Sequence, residues 1–436
     1  MQNRNCPIGC LNSQYVEDNF NRLLLYTTMA FFLFLVIVLI VFGYTPQNDS
    51  EGYIEHALLC LKAGQPYPCE YSIVGQPFIW NIGQINLIAL SLKLFGTFYP
   101  VLIVMCAMKA ATLWLVGKLT RHIFSPAIAL LAVVLYFLYP NNWGQSTMLL
   151  SEIPMVFFGL LSLWLALRYD KTTILFLSGL LMAVANWFRP VAMIYFGSLL
   201  LYLVIFFPKT ALRRLPALAL GYVFMIILIG SSCYLRTRHF VYQSETLWFN
   251  MSEAIYETSS EPHYNTEMFP KGTPRYIENM QEKTCFQCDS IWRERSIEWL
   301  RAHPVDYLKK IPVRLAYLLY SDIDNIAAFG ADKSNAADNN VTLPYRNMIT
   351  QFGSLSGMQR LATISLLFYY ALLLMAAAAV FSMLRRRRFR QLFLPLFILV
   401  GGSLAIVLAV HGEPRFKAPL MPFLFMLAAA VKTRSV

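Results

Sequence analysis

The sequence predicts an all-α polytopic membrane protein, and two observations carry that prediction. Hydrophobic residues make up 57% of the 436 residues and charged residues only 14%, and long apolar runs recur from one end of the chain to the other. The formal charge of +12 does not point to nucleic acid. The basic residues sit in short clusters between apolar runs, where they set topology instead.

The polar start, residues 1–14, has no apolar core followed by a small-residue cleavage site, so the first run, 23–44, reads as a signal anchor. Further runs follow at 77–96, 99–117, 126–139, 152–167, 173–188, 191–207, 215–235, 361–383, 392–410 and 418–431. Positive-inside counting places Lys118/Arg121, Arg168/Lys171, Lys209/Arg213/Arg214, 385–388 with Arg390, and Lys432/Arg434 on the cytoplasmic side, with Arg4 and Arg22. With residue 49 outside, an odd number of crossings must separate it from Lys118, yet two runs intervene. Run 77–96, interrupted by Asn81, Gln84, Asn86 and Lys93, is the weaker span and is expected to lie as an interfacial helix. About ten transmembrane helices remain.

The first outer loop, 44–98, carries the leading candidate, Asp49. Pro46, Asn48 and Ser50 supply a turn, and Tyr53, Ile54, Ala57, Leu58 and Leu61 recur at helical spacing, predicting a short amphipathic helix along the interface. A carboxylate beside a helix start at the bilayer surface suits a general base, and a helix cap fits the same position. The outer side also collects Glu51, Glu152, Glu413, Arg415 and Arg189, the last inside Trp187-Phe188-Arg189-Pro190, which splits one apolar stretch into two crossings. Lys109 lies well inside a span, either snorkelling or facing a cavity that admits an anionic headgroup.

Residues 236–358 form the one long outer segment, with an amphipathic patch over 291–320 broken at Pro304 and Pro312 and an Asn/Asp/Ala-rich loop over 322–340. The chain thus divides into an N-terminal membrane module (1–235), this outer segment, and C-terminal membrane helices (359–436). Cys60/Cys69 and Cys285/Cys288 fall outside and suit disulfides in an oxidising compartment. Cys285-Phe-Gln-Cys288 has redox spacing but no surrounding βαβ pattern, and a zinc ribbon would need a second pair. The chain has no Walker A, Rossmann, HExxH or GxSxG pattern and no cofactor motif. A transporter would place polar residues near the midplane on broken helices, where only Lys109 qualifies.

The order of Asp49, Tyr53-x-x-x-Ala57, Gly64-Gln-Pro-Tyr67, Leu94-Phe-Gly96, Ser151-Glu152, Arg189-Pro190, Trp299-Leu-Arg-Ala-His303-Pro304 and Gly412-Glu-Pro-Arg-Phe416-x-x-Pro419-x-x-Pro422 resembles the GT-C glycosyltransferases, in the branch of the protein O-mannosyltransferases and aminoarabinose transferases. That resemblance implies a multi-pass plasma (bacterial inner) membrane enzyme working on the periplasmic face. It would move a sugar from a polyprenyl-phosphate donor to a hydroxyl of a protein, glycolipid or cell-wall glycan acceptor. It assigns Asp49 as an inverting base, with Glu51 and Glu152 as further acids, and Arg415, Arg189 and Lys109 as donor-phosphate ligands. No metal site is expected, although a divalent ion between Asp49 and Glu51 stays open. Two other readings remain: a lipid-linked glycan polymerase or ligase, and a non-enzymatic lipid-sugar flippase or transporter.

Overall fold

Each apolar run becomes a helix whose limits follow from local sequence. The structure, a computed structural model, describes residues 13–46, 48–256, 271–330, 350–410 and 412–432. In α1 (Ser13–Phe42) the buried residues Phe20, Leu24, Phe31, Leu35 and Leu39 form one stripe, while Leu25, Met29, Leu33, Ile37 and Ile40 are equally apolar and exposed. A helix apolar all round with one face bare is built for lipid. After α2 (Asn48–Ala63) and α3 (Ile82–Phe95) in the first outer loop come α4 (Tyr99–Ile123), α5 (Pro126–Leu138), α6 (Pro140–Gly144), α7 (Glu152–Arg168), α8 (Thr172–Phe188), α9 (Ala192–Phe206) and α10 (Pro208–Thr237). The outer segment contributes α11 (Leu247–Tyr256), α12 (Cys285–Ala302) and α13 (Pro304–Leu319), and the chain returns through α14 (Gly357–Arg385), α15 (Phe389–Ala409) and α16 (Met421–Ala429). Among the described residues β pairing is confined to two isolated bridges, Val74 with Thr284 and Ile79 with Glu245.

The ten runs expected to cross are all helical, but length by itself qualifies fewer. Among the described residues α1, α4, α10, α14 and α15 are long and apolar enough to span alone, and α5 with residues 140–147 adds a sixth as a pair bent by 63°. Helices α7, α8 and α9 have 17, 17 and 15 residues, which at 1.5 Å per residue falls short of a hydrocarbon core of about 30 Å. Helix α3, at 14 residues, is also too short to cross unaided. The bend after α5 is the work of Pro140, which opens α6.

Helix α8 is sandwiched between α7 and α10, and small residues make both contacts. A Cβ on Gly179 would lie 2.1 Å from Leu218 O, and one on Gly221 would lie 2.1 Å from Phe176 O, so the α8 and α10 backbones touch where neither residue has a side chain. Across α7 and α8, Ser162 and Ser178 exchange hydrogen bonds, each hydroxyl donating to the other's carbonyl at 2.8 Å. Helix α16 fills the middle of the bundle and is buried along its whole length.

The outer segment does not stand apart as a cap. Phe78, from the first loop, shares a core with Phe249, Ile277, Cys288 and Trp292. Cys285 N–H donates to Ile73 O, and the two bridges tie the same stretches, so the first loop and the segment form one outer layer. Cys60 and Cys69 face each other with Sγ atoms 3.7 Å apart, and Cys285 and Cys288 are buried on α12. They pack as small apolar groups in the layer's interior. The loop expected over 322–340 is, in its described part, a buried turn over Asp324–Phe329 lying against Gly144, where a Cβ would come within 1.9 Å of Asn325 O. Residues 331–340 lie outside the described residues. Lys109, finally, does not snorkel; it is buried in the bundle.

Candidate active site

Four separate segments bring a charged cluster together at one end of the bundle. Asp49 lies in the first turn of α2. Among the described residues its carboxylate bonds to Arg415, not to the amides of its own helix: Arg415 Nη1 is 3.3 Å from Oδ2 and Nη2 is 3.5 Å from Oδ1. Arg415 follows Pro414 in a 3₁₀ run (Pro414–Leu420), and its Nε is 3.1 Å from Glu413 Oε1. Arg189 caps α8 in an extended conformation, φ −156° and ψ 134°, which is what the following Pro190 imposes on it. Its guanidinium pairs with Glu152, in the first turn of α7, and its Nη1 donates to Ser151 Oγ at 3.5 Å.

A hydroxyl and amide network joins the two ion pairs. Tyr53, one helical turn after Asp49 and on the same face, lies 3.4 Å from Ser151 Oγ through its hydroxyl. Asn81 Nδ2 donates to Tyr53 OH at 2.7 Å and to Ser151 Oγ at 2.9 Å, and Ser151 donates to Glu152 at 3.4 Å. Asn81 and Ser151 stand at the N-cap positions of α3 and α7, yet neither side chain caps its helix. Each gives up roughly 1 kcal/mol of helix stabilisation to serve the network. Burial and the nearby Asp49 carboxylate push the Tyr53 phenol up, so it stays a neutral donor.

Of the residues expected to act together, Asp49, Glu152, Arg189 and Arg415 converge, while Glu51 and Lys109 do not join them. Glu51 is exposed, because residues two apart on a helix point to different sides. Among the described residues no group of three or more His, Cys, Asp and Glu could hold a metal ion. Lys109 Nζ instead donates to Asn142 Oδ1 at 2.9 Å and to Gln145 Oε1, from the bent segment after α5. It belongs to a second, dry cluster. There Lys417 pairs with Asp322 at 3.2 Å and donates to the carbonyls of Ser321 and Pro414, while Tyr139 OH donates to Asp322. Asp324 lies beside it, its carboxyl raised to about 6 by burial, with Oδ2 buried and unbonded. Tyr53, Asn81, Ser151 and Glu413 were given no role from sequence. The spacing of Asp49 and Tyr53 at i and i+4 was the available signal; nothing local marks Asn81.

Comparison with known proteins finds two likenesses. The family model for dolichyl-phosphate-mannose-protein mannosyltransferases matches residues 85–233, which include Glu152 and Arg189. The structure of the Archaeoglobus fulgidus oligosaccharyltransferase in its apo form is similar with a TM-score of 0.50 at 13% identity, over 94% of this chain and 50% of that one. The chain therefore spans about half the length of that solved relative. Comparison with the curated proteins gives no match.

Proposed function

We propose that the protein is a membrane glycosyltransferase that moves a sugar from a polyprenyl-phosphate donor to an acceptor hydroxyl on the outer face, with Asp49 as the base. One observation carries this reading: two carboxylates and two arginines, from segments far apart in the chain, meet at one end of the bundle. Attack of the acceptor oxygen on the anomeric carbon breaks the bond to phosphate and inverts that centre. The hydroxyl proton passes to Asp49, and the polyprenyl phosphate leaves with its new charge held by Arg415 and Arg189. Arginine suits that charge, because its planar fork pairs two phosphate oxygens at once. Glu152 acts as the counter-ion that pairs directly with Arg189, and Ser151 contacts both. The mannosyltransferase model supports a lipid-linked donor of this kind, and the outer position of the cluster supports a plasma-membrane enzyme facing the periplasm.

The test is transfer from a radiolabelled polyprenyl-phosphate sugar in membranes carrying the protein. Asp49→Asn keeps size and hydrogen bonding but removes the basic lone pair, so turnover falls by about 10² to 10⁴. Near-normal transfer by a folded Asp49→Asn protein removes Asp49 as base. Donor movement across the bilayer without covalent transfer favours the flippase reading.

A further inference from the structure

The two proposed partners of the reaction, base and phosphate ligand, are bonded to each other. Asp49 sits across the Nη1 and Nη2 atoms of Arg415, at 3.3 and 3.5 Å, with both carboxylate oxygens engaged. Those two atoms form the fork a phosphate would take. Glu413 Oε1 lies 3.1 Å from Nε as an ion pair without hydrogen-bond geometry. Both jobs therefore compete for one edge of one guanidinium.

We propose that Asp49 and the donor phosphate occupy the Arg415 fork by turns, so that arrival of the donor is what releases the base. This rests on the proposed function. Three observations support exchange at Arg415 rather than at Arg189. The Asp49 contacts are long, and the side chains of Arg415 and Asp49 are 28% and 22% exposed, whereas Arg189 and Glu152 are 15% and 10% exposed and further tied by Ser151. Ion pairs so open to water are weak and readily displaced. The Glu413 carboxylate pairs with the Nε side of the same guanidinium, so Arg415 keeps a charge partner when Asp49 leaves. Before the donor binds, each Asp49 oxygen shares its negative charge with a guanidinium N–H, which lowers its basicity; afterwards it does not, and acceptor activation follows donor binding in fixed order.

The proposal makes an unusual prediction for the product-side ligand. Polyprenyl phosphate, titrated into the purified full chain in detergent, should bind Asp49→Asn about fivefold tighter than the wild type, because a neutral amide cannot hold the fork against it. Glu51→Gln, which removes a charge two residues away without touching Arg415, should bind like the wild type. In an Arg415→Met background the gain from Asp49→Asn should vanish, whereas simple charge repulsion by Asp49 would preserve it. Equal or weaker binding by Asp49→Asn, or a gain that survives in Arg415→Met, overturns the exchange and leaves the base assignment standing. Absence of binding by both wild type and Asp49→Asn overturns the exchange together with the donor assignment.

Discussion

Two polar clusters lie near one another in this bundle, and they are built on opposite terms. Around Asp49 and Arg415 the contacts are long, the side chains are 22% and 28% exposed, and one guanidinium serves two carboxylates. Around Lys417 and Asp322 the side chains are 3% and 4% exposed, and each charge is met by further donors or acceptors: the Ser321 and Pro414 carbonyls for Lys417, the Tyr139 hydroxyl for Asp322. A saturated, dry pair costs much to disturb and offers nothing to a ligand; an open, shared one can exchange partners. The first arrangement is suited to chemistry and the second to holding the turn at 321–330 against the bundle.

That contrast can be broken by experiment. Lys417→Met should have the largest effect on stability, about 3 to 5 kcal/mol, because it strands Asp322 in a dry site. Thermal unfolding in detergent reads this, and adding Asp322→Leu should recover much of the loss. If Lys417→Met kept its stability and lost turnover, the dry cluster would belong to the active site.

Arg415→Lys should do the reverse. Stability should move by no more than about 1 kcal/mol, while kcat/KM for the donor falls by about 10 to 10² as the fork is lost. A loss of stability without a loss of transfer would make Arg415 a structural residue.

A third measurement separates the outer layer from the bundle. Burial, with Asp289 nearby, raises the Glu245 carboxyl from its ordinary 4.5 to about 7. A raised carboxyl favours the folded state fully below about 4.5 and loses that contribution as pH climbs to 7. The layer should therefore melt at lower temperature at pH 8 than at pH 5, and Glu245→Gln should flatten the dependence. An unchanged slope in that variant would locate the titration elsewhere.

The smallest effect belongs to the Ser162–Ser178 clamp. Ser162→Ala should cost about 0.6 kcal/mol, the usual worth of a hydrogen bond between membrane helices. A much larger loss, read in the same unfolding assay, would mean that the clamp rather than the glycine contact between α8 and α10 sets the spacing of α8.

Much of this was legible before any coordinates, though unevenly. Asp49, Glu152, Arg189 and Arg415 were readable as one face because charge clusters fix which side of the membrane each loop occupies, and polar residues at helix ends are few. Glu51 was grouped with Asp49 because it is close in sequence, and the helix turned it away. Lys109 was grouped with the arginines because it is a cation in a span. Its real partners, Asn142 and Gln145, lie on a bend that hydropathy registers only as a polar interruption. The cysteine pairs fall in loops expected on an oxidising side, and whether a pair bonds depends on how its Cβ atoms face, which spacing does not decide.

The sequence by itself determined that the chain is an all-helical membrane protein and which end of the bundle gathers acids and arginines. Hydropathy and positive-inside signals act over single helices and short loops, so they survive without knowledge of the fold. Only the tertiary structure decided who pairs with whom. Asp49 and Arg415 are 366 residues apart, and Tyr53, Asn81 and Ser151 meet because α2, α3 and α7 happen to converge. An ion pair or hydrogen bond forms over about 3 Å, a distance no local pattern can specify between segments brought together by packing elsewhere in the bundle.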